Sequence, residues 1–482
     1  MEDLIRAALE AADGPGTVVA EVRVVSPDRY IQLAVRNGSA SALTDSRGDA
    51  LGVRVRTHRA FGFATTSDLR PEPVREVARL AQRLARAAGE HAHEPLRVTD
   101  DHGPRSGTYE TPLRTDPFRM SLDSVVELLT ASEKALHASR EVKSGIATFQ
   151  AWEENKWFAS SDGASYTSRI VHIGAGLTAT AVRGSNVQRR SSPASHGGDF
   201  SQSGFEFVEG LDLAGRAPAV GREAVELLDA PVCPTGTTTL VLGSEQLALQ
   251  VHESVGHAVE LDRIFGSEAG FAGTSWVGAD QIGTLRYGSD LMNVVADATE
   301  PGGLGTFGWD DEGIAAQRTP IVHRGVLVGT LSSRESGARL GLQRSGGTAR
   351  ASGGDRAPIV RMTNIDLEPG DHSFEELLEG VHDGVYLNTN RSWSIDDRRL
   401  NFQFGTEAGR RIVNGELGEL IRNPIYSGMT PTFWGSLDAV GDRSTRHLWG
   451  LPNCGKGQPI QGARVSHGAP VARFRNVAVR GG

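Results

Sequence analysis

Apolar residues recur along the chain with two periods, one helical and one extended, and the alternation lays out its elements. Residues 1–14 combine early acidic positions with an apolar stripe and predict a short amphipathic helix ending at Gly14. Residues 16–36 alternate apolar and polar side chains, with Val18, Ala20, Val22, Ile31, Leu33 and Val35 in the apolar set, and predict paired strands. The segments 52–56 and 61–64 predict a hairpin turning at 57–60. Pro71 opens the clearest helix, residues 71–89, where Val74, Val77, Leu80, Ala81 and Leu84 recur at helical spacing. Residues 100–118, rich in Gly, Pro, Thr and Asp, predict a long loop. Next come a helix over 122–138, strands over 144–182, a polar flexible segment over 191–203, and a helix over 211–228 interrupted at Ala217-Pro218.

The pattern changes at residues 230–236, where two prolines flank Cys233. Beyond them lies one helix, and from residue 293 short apolar runs separated by Gly, Asp and Asn turns give the rhythm of an antiparallel sheet. The expectation is an α+β protein: a mixed α/β N-terminal domain, residues 1–230, and a mainly antiparallel β C-terminal domain, residues 231–482, carrying one helix of special interest.

Composition narrows the class. Glycine is 59 of 482 residues, about 12% against a usual ~7%, which suits many turns and tight strand connections. Two cysteines, Cys233 and Cys454, exclude a disulfide framework. The excess of 59 acidic over 50 basic residues has the wrong sign for a general nucleic-acid binder. Acidic residues stand where a signal peptide needs basic ones, and the longest weakly polar run, residues 170–182, falls well short of the ~20 residues that span a bilayer. That run reads as a buried strand pair or hairpin, and the protein as soluble and cytoplasmic, with neither nucleic acid nor membrane as a partner.

Residues 238–263, TTLVLGSEQLALQVHESVGHAVELDR, hold the most chemistry. A strand leads through Gly243 to a helix with Ser244 as N-cap, Glu245 in its first turn, and Leu247, Val251, Val255 and Val259 as its apolar stripe. On it lie His252, Glu253 and His257, one residue more than the H-E-x-x-H of zinc hydrolases. In a regular α-helix residues five apart diverge by about 140°. A π-turn brings them back to within about 50°, and Gly256 makes such widening easier. On the motif alone, two readings stand: a metal helix with a π-turn, or a helix bearing two ordinary histidines and a solvated glutamate. Two histidines leave a catalytic zinc site one protein ligand short. Cys454, in a Gly-flanked loop, offers that ligand as an exposed thiolate or is a small buried hydrophobe, as Cys233 is read to be.

The chain resembles the TldD/PmbA family of metallopeptidases. The likeness is carried by LGVRVRTHRAFGFATTSDL (51–69), LVLGSEQLALQVHESVGHAVELD (240–262), FGWDDEGIAAQRTPIVHRGVLVGTLSSRESG (307–337), VRMTN (360–364) and NCGKGQP (453–459), in order along most of the chain. The resemblance implies Zn²⁺ held by His252, His257 and Cys454, with Glu253 as catalytic base, and makes this the catalytic rather than the metal-free paralogue. It also implies a dimer enclosing a narrow cavity, a heterodimer with the metal-free paralogue or else a homodimer. Its substrates are unfolded or short peptides held by strand pairing, and some members trim leader peptides.

Asp262 either orients a ligand from behind or is an ordinary helix-end carboxylate. Asp310, Asp311 and Glu312 form either an acidic turn or a site for a cation or amine, and Arg361 either pairs with a peptide carboxylate or makes a structural salt bridge. The competing functions are a zinc amidohydrolase that tailors a natural product and a non-catalytic regulatory binding protein, the family having once been described as a modulator of DNA gyrase.

Overall fold

The computed structural model describes residues 1–100 and 105–482. The first half is built on an eight-stranded sheet, whose main path runs Phe61–Thr66, Ser39–Arg56, Val19–Arg36, Val142–Ser160, Ser165–Arg183 and Ser106–Glu110. All these pairings are antiparallel except the last, and Asn186–Ser192 and Asp199–Ser201 extend the sheet from Ser165–Arg183. Glu2–Ala12 and Pro71–Glu90 close one apolar core against the sheet, and Leu122–Leu136 and Leu213–Asp229 close another. Gly62 shows how close the packing is: a Cβ there would lie 2.2 Å from the Ala81 carbonyl oxygen of the covering helix.

Several expectations are corrected here. Residues 16–36 form one long strand, Val19–Arg36, with a register shift between Val25 and Asp28 that absorbs Pro27. Residues 170–182 lie within a single strand. The predicted loop contains the strand Ser106–Glu110 and a 3₁₀ turn at Pro117–Arg119, while residues 101–104 of it lie outside the described residues. The segment 191–203 is largely buried and includes a short strand. Pro218 does not interrupt its helix, which runs unbroken over Leu213–Asp229.

In the second half, five strands pair in a closed ring: Asp383–Ile395, Gly236–Leu242, Ala472–Gly481, Pro424–Met429 and Asn401–Val413, the last returning to the first. The expected antiparallel character holds for all of these but the pairing of Asp383–Ile395 with Gly236–Leu242. A smaller sheet (Val326–Leu327, Arg318–His323, Val294–Asp297, Ile365–Leu367) and the hairpin His447–Lys456/Gln461–Ala469 complete it. The halves are stitched together by charge. Arg54 bonds Glu21 at 2.6 Å and Glu312 at 2.9 Å, and Lys156 bonds Asp311 at 2.7 Å. In the acidic turn at 310–312, Asp311 and Glu312 are thus consumed in structural pairs with N-terminal cations, and Asp310 accepts from the backbone amides of Glu312, Ile314 and Ala349.

Candidate metal centre

The strand Gly236–Leu242 delivers the chain directly into the helix Ser244–Val251. Gly243, not Ser244, is the N-cap; the Ser244 hydroxyl instead donates to the Ala469 carbonyl and accepts from Trp449 Nε1, tying the helix start to the cysteine hairpin. At His252 the helix widens into a π-turn, His252–Gly256, with the His257 amide bonded to the His252 carbonyl five residues back. Widening frees carbonyls that need other partners. Ser254 Oγ bonds the Gln250 carbonyl at 2.6 Å, and Tyr287 Oη bonds the Ser254 carbonyl at 2.5 Å. Gly256 keeps an ordinary helical φ of −51°. Its role is close approach: a Cβ there would sit 2.2 Å from Met362 Sδ.

The π-turn has the effect expected of it. The His252 and His257 rings face each other at 4.8 Å between centroids, nearly perpendicular. Cys454 joins them from the hairpin. Its sulfur is 3.5 Å from His257 Nε2, and the ligand atoms of the three side chains all lie within 4.8 Å of one another. Two details differ from expectation: Cys454 belongs to a strand with a register shift just before it, not to an exposed loop, and its side chain is buried.

The hydrogen bonds fix the tautomers. The Ile365 carbonyl can only accept, so His467 Nδ1, 3.0 Å away, carries the proton. His467 Nε2 is then the acceptor for His252 Nδ1–H at 2.7 Å, which leaves the Nε2 lone pair of His252 free. His257 Nδ1–H donates to Glu260 Oε2 at 3.0 Å and leaves its Nε2 facing Cys454. Burial holds both His252 and His257 below their ordinary pKa, as neutral imidazoles. Burial would raise the Cys454 thiol, but His257 and Arg361 outweigh it and hold the thiol below its ordinary range.

The surroundings explain the other sequence candidates. Lys456 is fully buried and bonds Asp262 at 2.7 Å and the Val360 carbonyl at 2.7 Å, with Glu260 at 3.3 Å. Glu260, rather than Asp262, therefore orients His257, and Asp262 stands one step further out. Arg361 has no carboxylate partner among the described residues; it donates to the backbone carbonyls of Cys454 and Gln461 and holds the hairpin in place. Glu253 lies beside the pair of histidines and accepts a hydrogen bond from Arg399 at 2.7 Å. Glu260, His467 and Arg399 were not legible as site residues, since they sit in an ordinary helix end, a Val/Ser/Ala strand and a turn. Cys233 packs in the core, and burial pushes its thiol up to about 11.

The donor set suits a metal ion. Zinc bonded at ~2.0–2.1 Å to nitrogen and ~2.3 Å to sulfur in a tetrahedron sets neighbouring donors about 3.5 Å apart. The Cys454–His257 separation has that value, and all three donors carry available lone pairs.

Residues 235–481 match the PmbA/TldA metallopeptidase C-terminal domain, and residues 115–230 match the central domain of the same family. The chain belongs to the PmbA/TldA metallopeptidase family. Other members resemble this metallopeptidase over much of its length. A metalloprotease of Methanothermobacter thermautotrophicus is 29% identical over 457 residues, covering 94% of this chain and 93% of that protein. A zinc metalloprotease TldD homolog of Saccharolobus solfataricus is 28% identical over 248 residues, 51% of this chain and 52% of its own. Among solved structures, TldE of Thermococcus kodakarensis superposes with a TM-score of 0.72 at 17% identity over the whole of both chains. A Thermotoga maritima protein described as a candidate modulator of DNA gyrase does so with 0.76 at 17% identity, covering 99% of each. At that identity these two show the fold alone. No helix among the described residues is long and apolar enough to cross a membrane.

Proposed function

We propose that this chain is the catalytic member of its family, a zinc peptidase in which His252, His257 and Cys454 hold the ion and Glu253 is the general base. The observation that carries this reading is the buried triad of neutral imidazoles and a thiol, facing one another, beside a carboxylate. A bound zinc ion would supply Lewis-acid chemistry, lowering the pKa of water and polarising the scissile carbonyl. Glu253 takes the proton of the attacking water and hands it to the departing amine. Burial excludes bulk water and strengthens each of these interactions.

The substrates in this reading are short or unfolded peptides, held through their backbone and, in one version, leader peptides awaiting removal. The working unit is a dimer with a metal-free paralogue, or with a second copy, in the cytoplasm. The metalloprotease names of the relatives support the peptidase reading. Two buried, unpaired cysteines suit a reducing compartment. The test is cleavage of a pool of unstructured peptides by the zinc-loaded chain, with and without a co-expressed metal-free paralogue, alongside Glu253→Gln. Cleavage should vanish in that variant while zinc stays bound. Full cleavage by Glu253→Gln would remove the base from the mechanism.

A further inference from the structure

Arg399 lies 146 residues from Glu253 in sequence, in the turn that joins the strands Asp383–Ile395 and Asn401–Val413. Four observations single it out. Its Nη1 donates to Glu253 Oε2 at 2.7 Å, the one side-chain hydrogen bond Glu253 makes among the described residues. Its Nε is buried with no partner. Its backbone is left-handed, φ 62°, a conformation that suits glycine and strains arginine. The turn is also locked on several sides. Asp396 accepts from the backbone amides of Arg398, Leu400 and Asn401, the Arg399 amide bonds the Asp396 carbonyl, and Thr430 Oγ1 bonds the Arg399 carbonyl at 2.8 Å. A rigid scaffold thus holds a residue poorly suited to its backbone, with its guanidinium on the carboxylate beside the metal triad.

We infer that Arg399 is a positioning residue for hydrolysis: it clamps Glu253 through Oε2 so that Oε1 is left, in fixed orientation, to take the proton of the attacking water. The bond removes the freedom of the glutamate side chain and fixes which oxygen faces the site, and a base must be held in reach of its proton before it can act. The clamp rests on the reading of Glu253 as base.

Arg399→Gly separates side chain from backbone, because glycine accepts the left-handed conformation without strain. In the zinc-loaded protein, assembled as for the peptide cleavage above, this variant should keep its zinc and lose about 10²-fold or more in kcat with KM little changed. Low guanidinium should restore at least about tenfold of that loss in Arg399→Gly and nothing in Glu253→Gln. Activity that is unchanged or raised, or a loss that guanidinium does not relieve, would overturn the clamp. Glu253→Gln distinguishes the two failures: full activity there defeats the base itself, whereas an inactive Glu253→Gln beside a fully active Arg399→Gly defeats only the clamp. A melting cycle on the metal-free protein reads the same pair without catalysis. Arg399→Gly should lower Tm more when Glu253 is present than when it is Gln, since only then is a buried carboxylate left unpaired. Additive shifts in Tm would contradict the pairing.

Discussion

Replacing His467 by Phe tests how the protein presents His252. The perturbation is narrow: His467 is 0% exposed, and Phe fills a similar volume but cannot accept a hydrogen bond. Two bonds disappear, the 2.7 Å bond from His252 Nδ1–H and the 3.0 Å bond to the Ile365 carbonyl. A buried donor left without a partner costs about 1–3 kcal/mol. Losing the group that orients a metal-bound histidine lowers metal affinity about 10–100-fold, or about 1.4–2.7 kcal/mol. Unfolding entropy near 2.1 cal/mol/K per residue gives this 482-residue chain about 1 kcal/mol per degree, so Tm of the metal-free protein should fall by about 1–3 °C. Titration of zinc against a competing chelator reads the affinity, and calorimetry reads Tm. His467→Gln, whose amide oxygen can accept from His252, should recover much of the affinity. A folded His467→Phe that binds zinc within about twofold of the parent would refute the relay, because tautomer fixation predicts at least a tenfold loss.

Other perturbations probe the same architecture. Gly256→Ala drives a methyl into Met362 Sδ and should cost about 1–3 kcal/mol, with Met362→Ala partly relieving it; an innocuous Gly256→Ala would mean the close approach is immaterial. Lys456→Met takes the cation from Asp262 and leaves Glu260 with only Arg263 and His257, and should cost about 3–5 kcal/mol, read as a Tm drop of several degrees. Glu245 is raised by burial from 4.5 to about 7, so between those values the folded chain holds a proton that the unfolded chain releases, and stability falls as pH rises through that window. Glu245→Gln fixes the protonated form; its Tm should match the parent near pH 4.5 and exceed it above pH 7 by an amount equivalent to about 3 kcal/mol at most, and a pH-independent difference would exclude Glu245 as the source.

Much of this was legible in the sequence, for physical reasons that vary with scale. Local periodicity gave the helix at Pro71–Glu90 and the hairpin into Phe61–Thr66, because each buries one face against a neighbour. The spacing of His252 and His257 left a π-turn as one of two readings, because in a regular α-helix rings five residues apart diverge, and the structure has that turn. Pro218 misled, because its helix runs on through it, and Pro27 hid in a register shift within a strand expected to be two. The ring of five strands depends on pairings far apart in sequence, so no local pattern announced it. The same holds for Glu260, His467 and Arg399. Each acquires meaning only from the atom it meets, and a turn reading Asp-Asp-Arg-Arg looks like any polar turn until it closes on Glu253.

The most direct test of the central claim is X-ray absorption at the zinc edge of the zinc-loaded protein. The account predicts one sulfur at ~2.3 Å and two imidazole nitrogens at ~2.0–2.1 Å, with the sulfur shell lost in Cys454→Ser and kept in Cys233→Ser. A shell without sulfur, or one that survives Cys454→Ser, would contradict the assignment of His252, His257 and Cys454 as the metal centre.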